Sequence, residues 1–139
     1  MKNSYIPEEP VAAIATALAP SALGIIRTSG KGCIELISRV FSRPKALLAS
    51  GGNTVVYGWI INPAEKENGK AKKVDEVLVS VFKAPKSFTG EDMAEISCHG
   101  GTAIVSSIYA LLLENGFREA QRGEYTFRAY VNGKADLTK

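Results

Sequence analysis

The segment Ser87-Phe-Thr-Gly-Glu-Asp-Met-Ala-Glu-Ile-Ser-Cys-His-Gly-Gly101 decides the fold, because a turn, a strand and a helix start follow one another within it. Two adjacent carboxylates lie in the turn, and a third, Glu95, lies in the short apolar alternation that follows. Cys98 and the single histidine, His99, end that strand, and two glycines precede a long apolar helix. This concentration of polar groups exceeds what a core requires, so the segment indicates a small-molecule site.

The composition is that of a single globular domain. The chain has 139 residues, of which 45% are hydrophobic and 22% charged, and its net charge is +3. The basic residues are scattered except for four lysines within 66–73, which we interpret as a solvated loop rather than a nucleic-acid contact. Two cysteines are too few for a disulfide scaffold, and no apolar run approaches the ~20 residues that span a membrane. We therefore expect a reduced, cytoplasmic protein.

Hydrophobic periodicity predicts an α+β fold. The predicted strands span 11–16, 23–28, 54–61, 74–83, 93–98 and 117–121, and the predicted helices span 34–41, 102–115 and 124–132. We expect Pro44 to end the first helix, Gly116 to end the second, and 62–73 to be a long connection inside a hairpin. This order suits a ferredoxin-like split-βαβ sandwich.

Neither a phosphate loop nor a metal site is expected. A P-loop needs a glycine five residues before its Gly-Lys pair, and the pairs that begin at Gly30, Gly69 and Gly133 all lack it. A zinc site needs three or four ligands, which Cys98 and His99 do not supply. Neighbouring side chains on a strand also point to opposite faces, which disfavours a Cys/His nucleophile pair. We interpret the two as a strand-end cysteine and a histidine bonded to backbone, and we expect no catalytic residue.

Glu95 is a candidate for ligand recognition. In a strand over 93–98 it shares a face with Met93 and Ser97, whereas the intervening residues are apolar. A carboxylate there is either at a solvated edge or recruited for recognition, and the residues alone leave both interpretations open. An ionised carboxylate accepts from two adjacent N–H donors on a planar group. Glu91 and Asp92, by contrast, are interpreted as turn formers.

Two basic residues, like Glu95, are weighed between a structural role and ligand binding. Arg27 closes an apolar strand, where it is either an exposed strand end or a clamp for an anion or a carbonyl. Lys134 follows a helix end, where its simplest role is a favourable interaction with the C-terminus of that helix.

The opening segment resembles the hallmark of the tRNA-modification GTPase family MnmE, also called TrmE. Further matching stretches occur in the order and spacing of the family, from about Val11 to the end. These stretches are 12–16 with 24–30, 75–79 and 123–138.

The resemblance implies an N-terminal domain over 1–134, similar to the tetrahydrofolate-binding domain of the glycine-cleavage T-protein, that binds reduced folate and holds a homodimer. Residues 135–139 would begin a helical domain, and Asp136 looks like the cap of a helix that is then cut off. The resemblance assigns folate contacts to Arg27, Glu95 and Lys134. Glu95 would pair with the 2-amino and ring N–H groups of the pterin, and the two cations would serve carbonyl or anionic groups.

For the parent protein, the resemblance implies a GTP-hydrolysing enzyme that modifies the wobble uridine of certain tRNAs together with an FAD-dependent partner, MnmG. The carbon would come from 5,10-methylene-tetrahydrofolate, with 5-formyl-tetrahydrofolate as a related ligand. GTP, Mg and K would bind outside this sequence, so we expect the fragment itself to be non-catalytic. Rival hypotheses are a dimerisation module with a degenerate folate site, and a stand-alone folate-dependent one-carbon transferase.

Some residues depart from the family pattern. The loop over 17–23 lacks the usual proline- and glycine-rich turn, so we expect a stiffer or reshaped loop beside Arg27. Arg122 stands where proline is common, and Tyr125 and Tyr130 stand where phenylalanine is common.

Overall fold

A six-stranded sheet dominates the part of the chain that a computed structural model describes, residues 6–16 and 23–134. The 17–23 loop, apart from Leu23, and the predicted helix start at Asp136 lie outside the described residues, as does the segment 135–139. The strands are β1 (Val11–Ile14), β2 (Leu23–Ser29), β3 (Thr54–Glu67), β4 (Lys70–Phe82), β5 (Met93–His99) and β6 (Arg118–Glu119). The helices are α1 (Cys33–Ser38), α2 (Pro44–Leu48), α3 (Thr102–Glu114) and α4 (Glu124–Val131).

The strand order in the sheet is β3-β4-β5-β2-β1-β6. β6 runs parallel to β1, and all other neighbours are antiparallel. The alternation of side chains along each strand gives the sheet two different faces. This mixed α+β architecture is compatible with the split-βαβ sandwich that the sequence predicts.

One face of the sheet carries the hydrophobic core. Alternate residues of the central strands, such as Ile26, Val79 and Ile96, are fully buried there against α1, α2 and α3. Ile37 and Ile108 supply the facing helical side chains. On the opposite face of the sheet, Tyr125 of α4 contacts Arg27.

The prediction of a long connection over 62–73 is wrong. β3 and β4 continue through it as a hairpin that closes on the two-residue loop Asn68-Gly69, with φ values of 53° and 78°. Positive φ at both loop residues is the condition for the tight hairpin turn that Asn-Gly favours. The pairing register shifts between Asn62 and Lys66, which lets β3 accommodate Pro63, a residue that cannot donate to the ladder.

The helix predicted to run to Pro44 is shorter than expected. α1 ends at Ser38, and Pro44 begins α2 rather than ending α1. Proline is well suited to the first turn of a helix because its missing N–H would be unpaired there in any case. The predicted stop of α3 before Gly116 is confirmed, with φ 110° at that glycine.

Candidate functional site

Arg27 and Glu95 lie opposite each other on the central strands β2 and β5. Arg27 Nε donates to Glu95 Oε2 at 2.8 Å. The side chains are 37% and 26% exposed, so the pair is open to solvent rather than part of the core. Glu95 is also flanked by Ser80 in the register of β4. The antiparallel register therefore brings together two of the three residues that the sequence singled out.

Within the described part of the chain, the Arg27–Glu95 pair uses only a small part of its hydrogen-bonding capacity. Within residues 6–16 and 23–134, no hydrogen bond reaches Glu95 Oε1 or the two terminal nitrogens of Arg27. A carboxylate has about four lone-pair sites, and a guanidinium has five N–H donors in a fixed fork. The pair can therefore present acceptors and donors side by side to a planar ligand.

Helix α4 supports the backbone and side chain of Arg27. The hydroxyl of Tyr125 donates to the carbonyl oxygen of Arg27 at 2.7 Å, and the guanidinium lies 5.8 Å from the centroid of the Tyr125 ring. Burial raises the pKa of Tyr125 above its ordinary value, so the phenol stays protonated and remains a donor. The sequence comparison had treated this tyrosine only as a departure from phenylalanine.

A second arginine–carboxylate cluster anchors α4, and its central arginine is closed to solvent. Arg128 is fully buried, and its guanidinium donates to Glu91 Oε1 at 3.0 Å and to Glu124 Oε2 at 2.7 Å. Arg118 adds a second cation to Glu124 at 2.6 Å. Glu91 lies in the bend before β5, as interpreted, but its carboxylate is also 5% exposed and ion-paired, which the sequence did not predict.

The charge on Glu124 is maintained by these partners. Burial alone would raise the pKa of this carboxyl group. Hydrogen bonds from Arg118, from the backbone N–H of Gln121 and from Arg128 outweigh that effect and lower the pKa below its ordinary value of 4.5. Glu124 is therefore ionised at neutral pH.

Lys134 lies apart from the pair, just beyond the C-terminal end of α4. Its backbone N–H donates to the carbonyl of Ala129, and its side chain is exposed beside Gly90. In the described part of the chain, no hydrogen bond or ion pair joins it to Arg27 or Glu95. The structure thus brings two of the three candidate residues together and leaves the third at the far end of the helix.

Cys98 and His99, at the end of β5, differ in burial. Cys98 is buried in the core, where burial raises the pKa of its thiol above the ordinary value. The ring of His99 is 62% exposed, and its Nδ1 lies 2.9 Å from Asp75 Oδ1. Its backbone N–H donates to Asp75 Oδ2 at 2.8 Å, so the partner of the histidine is a carboxylate and not backbone as expected.

Asp75 was missed as a functional candidate. It shares a strand face with Val77, Val79 and Val81, all of which are buried in the core. A carboxylate in that alternation is a signal for a buried, partnered acid. The sequence analysis had used the pattern only to assign the strand.

No group of three or more His, Cys, Asp or Glu side chains is placed to hold a metal ion within residues 6–16 and 23–134. Among the same residues, no helix is long and apolar enough to cross a membrane.

Comparison with known proteins identifies the family. The family model described as "GTP-binding protein TrmE N-terminus" matches residues 10–134. The chain is 60% identical over 137 residues to the tRNA modification GTPase MnmE of Treponema denticola, covering 99% of the chain and 28% of that protein. The corresponding protein of Treponema pallidum is 48% identical, with 99% of the chain and 26% of the relative covered.

A more distant relative agrees. The tRNA modification GTPase MnmE of Carboxydothermus hydrogenoformans is 46% identical over 134 residues, covering 95% of the chain and 28% of that protein. The chain thus spans little more than a quarter of the length of these relatives. It belongs to the tRNA-modification GTPase family MnmE, of which it represents the N-terminal region.

Proposed function

We propose that this N-terminal domain binds a reduced folate at the Arg27–Glu95 pair and supplies it as one-carbon donor for modification of tRNA wobble uridine by the full-length protein. The observation that carries the proposal is the open pair itself, which is joined by one 2.8 Å hydrogen bond and has no other side-chain hydrogen bond within residues 6–16 and 23–134. An exposed ion pair contributes only about 0–1 kcal/mol to stability. The fold therefore has little need of these two charges in the middle of its sheet.

The residues present fit a pterin. Its 2-amino group and neighbouring ring N–H form the parallel donor pair that Glu95 can accept, and its carbonyl can accept from Arg27. When bound, the folate supplies the one-carbon unit, and the protein supplies orientation and charge complementarity. Lys134 would serve an anionic group of the cofactor from the end of α4, where its side chain is exposed.

The remaining functions belong to the full-length protein. We propose that it is cytoplasmic and hydrolyses GTP with Mg and K bound outside the present sequence, and that it acts on tRNA with an FAD-dependent MnmG-type partner. The family membership supports tRNA and GTP as the relevant molecules.

We further propose that the domain forms a homodimer. Phe127, Tyr130 and Val131 lie on one face of α4 at i, i+3 and i+4 spacing, and they are 41–48% exposed. An apolar stripe on a short helix is typical of a surface that a second chain covers. Sedimentation velocity of the wild type and of a Tyr130→Glu, Val131→Glu double variant tests this: a dimer that the variant converts to a monomer supports the proposal.

Isothermal titration calorimetry with 5-formyl-tetrahydrofolate tests the folate site. We expect saturable heat with the wild type, and loss of binding in Glu95→Ala because the paired acceptor of the pterin donors is removed. Glu67→Ala is the matched control, since it removes an exposed carboxylate from the distant hairpin. Absence of heat with the wild type, or equal binding by Glu95→Ala, would overturn the site assignment.

The same two measurements, together with an assay of one-carbon transfer by the domain alone, separate the rival functions. A dimer that ignores folate would indicate a dimerisation module with a degenerate site. Transfer of the one-carbon unit by the domain alone would indicate a stand-alone transferase.

A further inference from the structure

The chain contains three Asn-Gly pairs, which begin at Asn68, Asn115 and Asn132. Because glycine has no Cβ, its backbone nitrogen can approach the side-chain amide carbon of the preceding asparagine with little steric hindrance. Attack of that nitrogen on the amide is the first step of asparagine deamidation. The three pairs share this local chemistry, so the fold decides which of them can react.

The first pair is open to this reaction. Asn68 and Gly69 are exposed and form the tip of the β3–β4 hairpin. Within residues 6–16 and 23–134, the Asn68 side chain has no hydrogen-bond partner, and the N–H of Gly69 donates to no backbone carbonyl. A methyl group added at Gly69 would meet no atom within 4 Å. A hairpin tip of this kind can open locally at little cost in free energy.

The second pair is restrained by a side-chain hydrogen bond. Asn115 follows α3 and is half-buried. Its Nδ2 donates to the carbonyl oxygen of Leu111 at 2.8 Å, which holds the amide against the last turn of the helix. This bond must break before the amide can rotate toward the nitrogen of Gly116.

The third pair is restrained at both reacting groups. Asn132 Nδ2 donates to the carbonyl oxygen of Thr89 at 2.8 Å, across the contact between α4 and the loop before β5. The N–H of Gly133 donates to the carbonyl oxygen of Tyr130 at 3.0 Å. The attacked amide and the attacking nitrogen are thus both engaged in the folded protein.

We propose that Asn68 is a site of spontaneous deamidation and that the fold protects Asn115 and Asn132. The Gly69 nitrogen loses its proton and forms a bond to Cγ of Asn68, while the bond from Cγ to Nδ2 breaks and ammonia leaves. The product is a succinimide ring. Water opens the ring at either carbonyl, which gives aspartate or isoaspartate at position 68. Water is the only co-reactant, and no group is oxidised or reduced.

The modification changes the charge and the geometry of the hairpin tip. The segment 65–73 carries four lysines and two glutamates, so a new carboxylate at position 68 reduces its positive charge. Isoaspartate also lengthens the main chain by a methylene group. The two-residue turn, with φ values of 53° and 78°, fits only the original backbone. We therefore expect the isoaspartyl form to lose the pairing of Glu67 with Lys70 at the tip.

Timed incubation of the purified protein in mildly alkaline buffer tests the proposal, with peptide mapping by mass spectrometry to measure all three sites in one sample. We expect Asn68 to convert at least about fivefold faster than Asn115, because a hydrogen bond protects the latter. Asn132 should be the slowest site, since two hydrogen bonds restrain it. Labelling with protein isoaspartyl methyltransferase should detect isoaspartate at position 68.

Two controls separate the effect of the fold from that of the local sequence. In concentrated urea the three rates should converge, because every one of these asparagines precedes a glycine. Gly69→Ala places a methyl group beside the attacking nitrogen and should slow conversion at Asn68 while leaving the rate at Asn115 unchanged. Circular dichroism checks that this variant is folded, since φ at position 69 is positive.

Three results would overturn the proposal. The first is conversion of the three sites at equal rates in the folded protein. The second is a preference for Asn68 that persists unchanged in urea. The third is a folded protein whose Asn68 stays intact over the time in which the urea-unfolded chain converts.

Discussion

Two arginine–carboxylate sites in this domain differ in burial and in what their charges can do. Arg128 is fully buried and forms ion pairs with Glu91 and Glu124, whose side chains are 5% and 6% exposed. Arg27 and Glu95 are 37% and 26% exposed and share a single hydrogen bond. The same residue types thus form a buried ion-pair cluster in one place and a solvent-accessible ion pair in the other.

The difference in burial separates charges that stabilise the fold from charges that are available to bind a ligand. A buried cation with two carboxylates must keep every partner, because an uncompensated buried charge is costly. An open pair can exchange its partners for ligand groups at little expense to the fold. The predictions below test whether these two sites respond as differently as their surroundings require.

The largest expected effect is on stability. Arg128→Ala leaves Glu91 and Glu124 buried without their shared cation, so we expect the free energy of unfolding to fall by about 3–5 kcal/mol. Urea denaturation measures this loss. Arg122→Ala removes an exposed arginine close in sequence and should change stability by less than about 0.5 kcal/mol. A small change in the free energy of unfolding of Arg128→Ala would show that the buried cluster does not stabilise the fold.

The next effect is on affinity. Glu95→Gln keeps the shape of the side chain but removes its charge and replaces one acceptor with a donor, so binding of 5-formyl-tetrahydrofolate should weaken by about 1.5–3 kcal/mol. The free energy of unfolding should change by no more than about 1 kcal/mol. Calorimetry and urea denaturation on one preparation check both values, and a loss of stability without a loss of affinity would reverse the assignment.

The buried cluster also predicts a pH dependence. The folded-state pKa of Glu124 is lowered, so its contribution to stability is fully present above about 4.5 and is lost as the pH falls through the lower folded value. Unfolding midpoints measured from pH 6 to pH 3 should therefore decrease. Glu124→Gln should be less stable at pH 6 and show a flatter profile, and an equally steep profile would assign the acid sensitivity to other carboxylates.

The smallest effect links the two sites. Tyr125→Phe keeps the ring beside Arg27 but removes the hydrogen bond to its carbonyl, at an expected cost of about 0.5–1.5 kcal/mol in stability. Thr126→Val is the control on the same helix, because it removes one exposed hydroxyl outside the proposed dimer surface. Thermal unfolding compares the two variants, and equal behaviour would mean that the Tyr125 hydroxyl contributes nothing.

Local patterns predicted much of the fold. The alternation at Val77, Val79 and Val81 identified β4, and Gly116 marked the end of α3. The hairpin tip was missed because lysines and Pro63 make 62–73 read as a loop, although Asn68-Gly69 is a strong signal for a two-residue turn. Here strand pairing outweighed the polar composition.

The sequence predicted the individual residues of the candidate site but not their arrangement in space. Arg27 and Glu95 are 68 positions apart in the chain, and only the register of β2 on β5 brings them together. The register depends on the whole sheet, so no local pattern could supply it. The partnership of Arg128 with Glu91 was missed for the same reason, since it joins α4 to the loop before β5.

The most direct test measures the stabilisation that ligand confers on folding. With 5-formyl-tetrahydrofolate at 100 times its dissociation constant for the wild type, the free energy of unfolding of the wild type should rise by about 2.7 kcal/mol. The same ligand concentration should raise that of Glu95→Gln by far less, although the two proteins are nearly equally stable without ligand. An equal rise in both proteins, or no rise in the wild type, would contradict the claim that the open pair is the folate site.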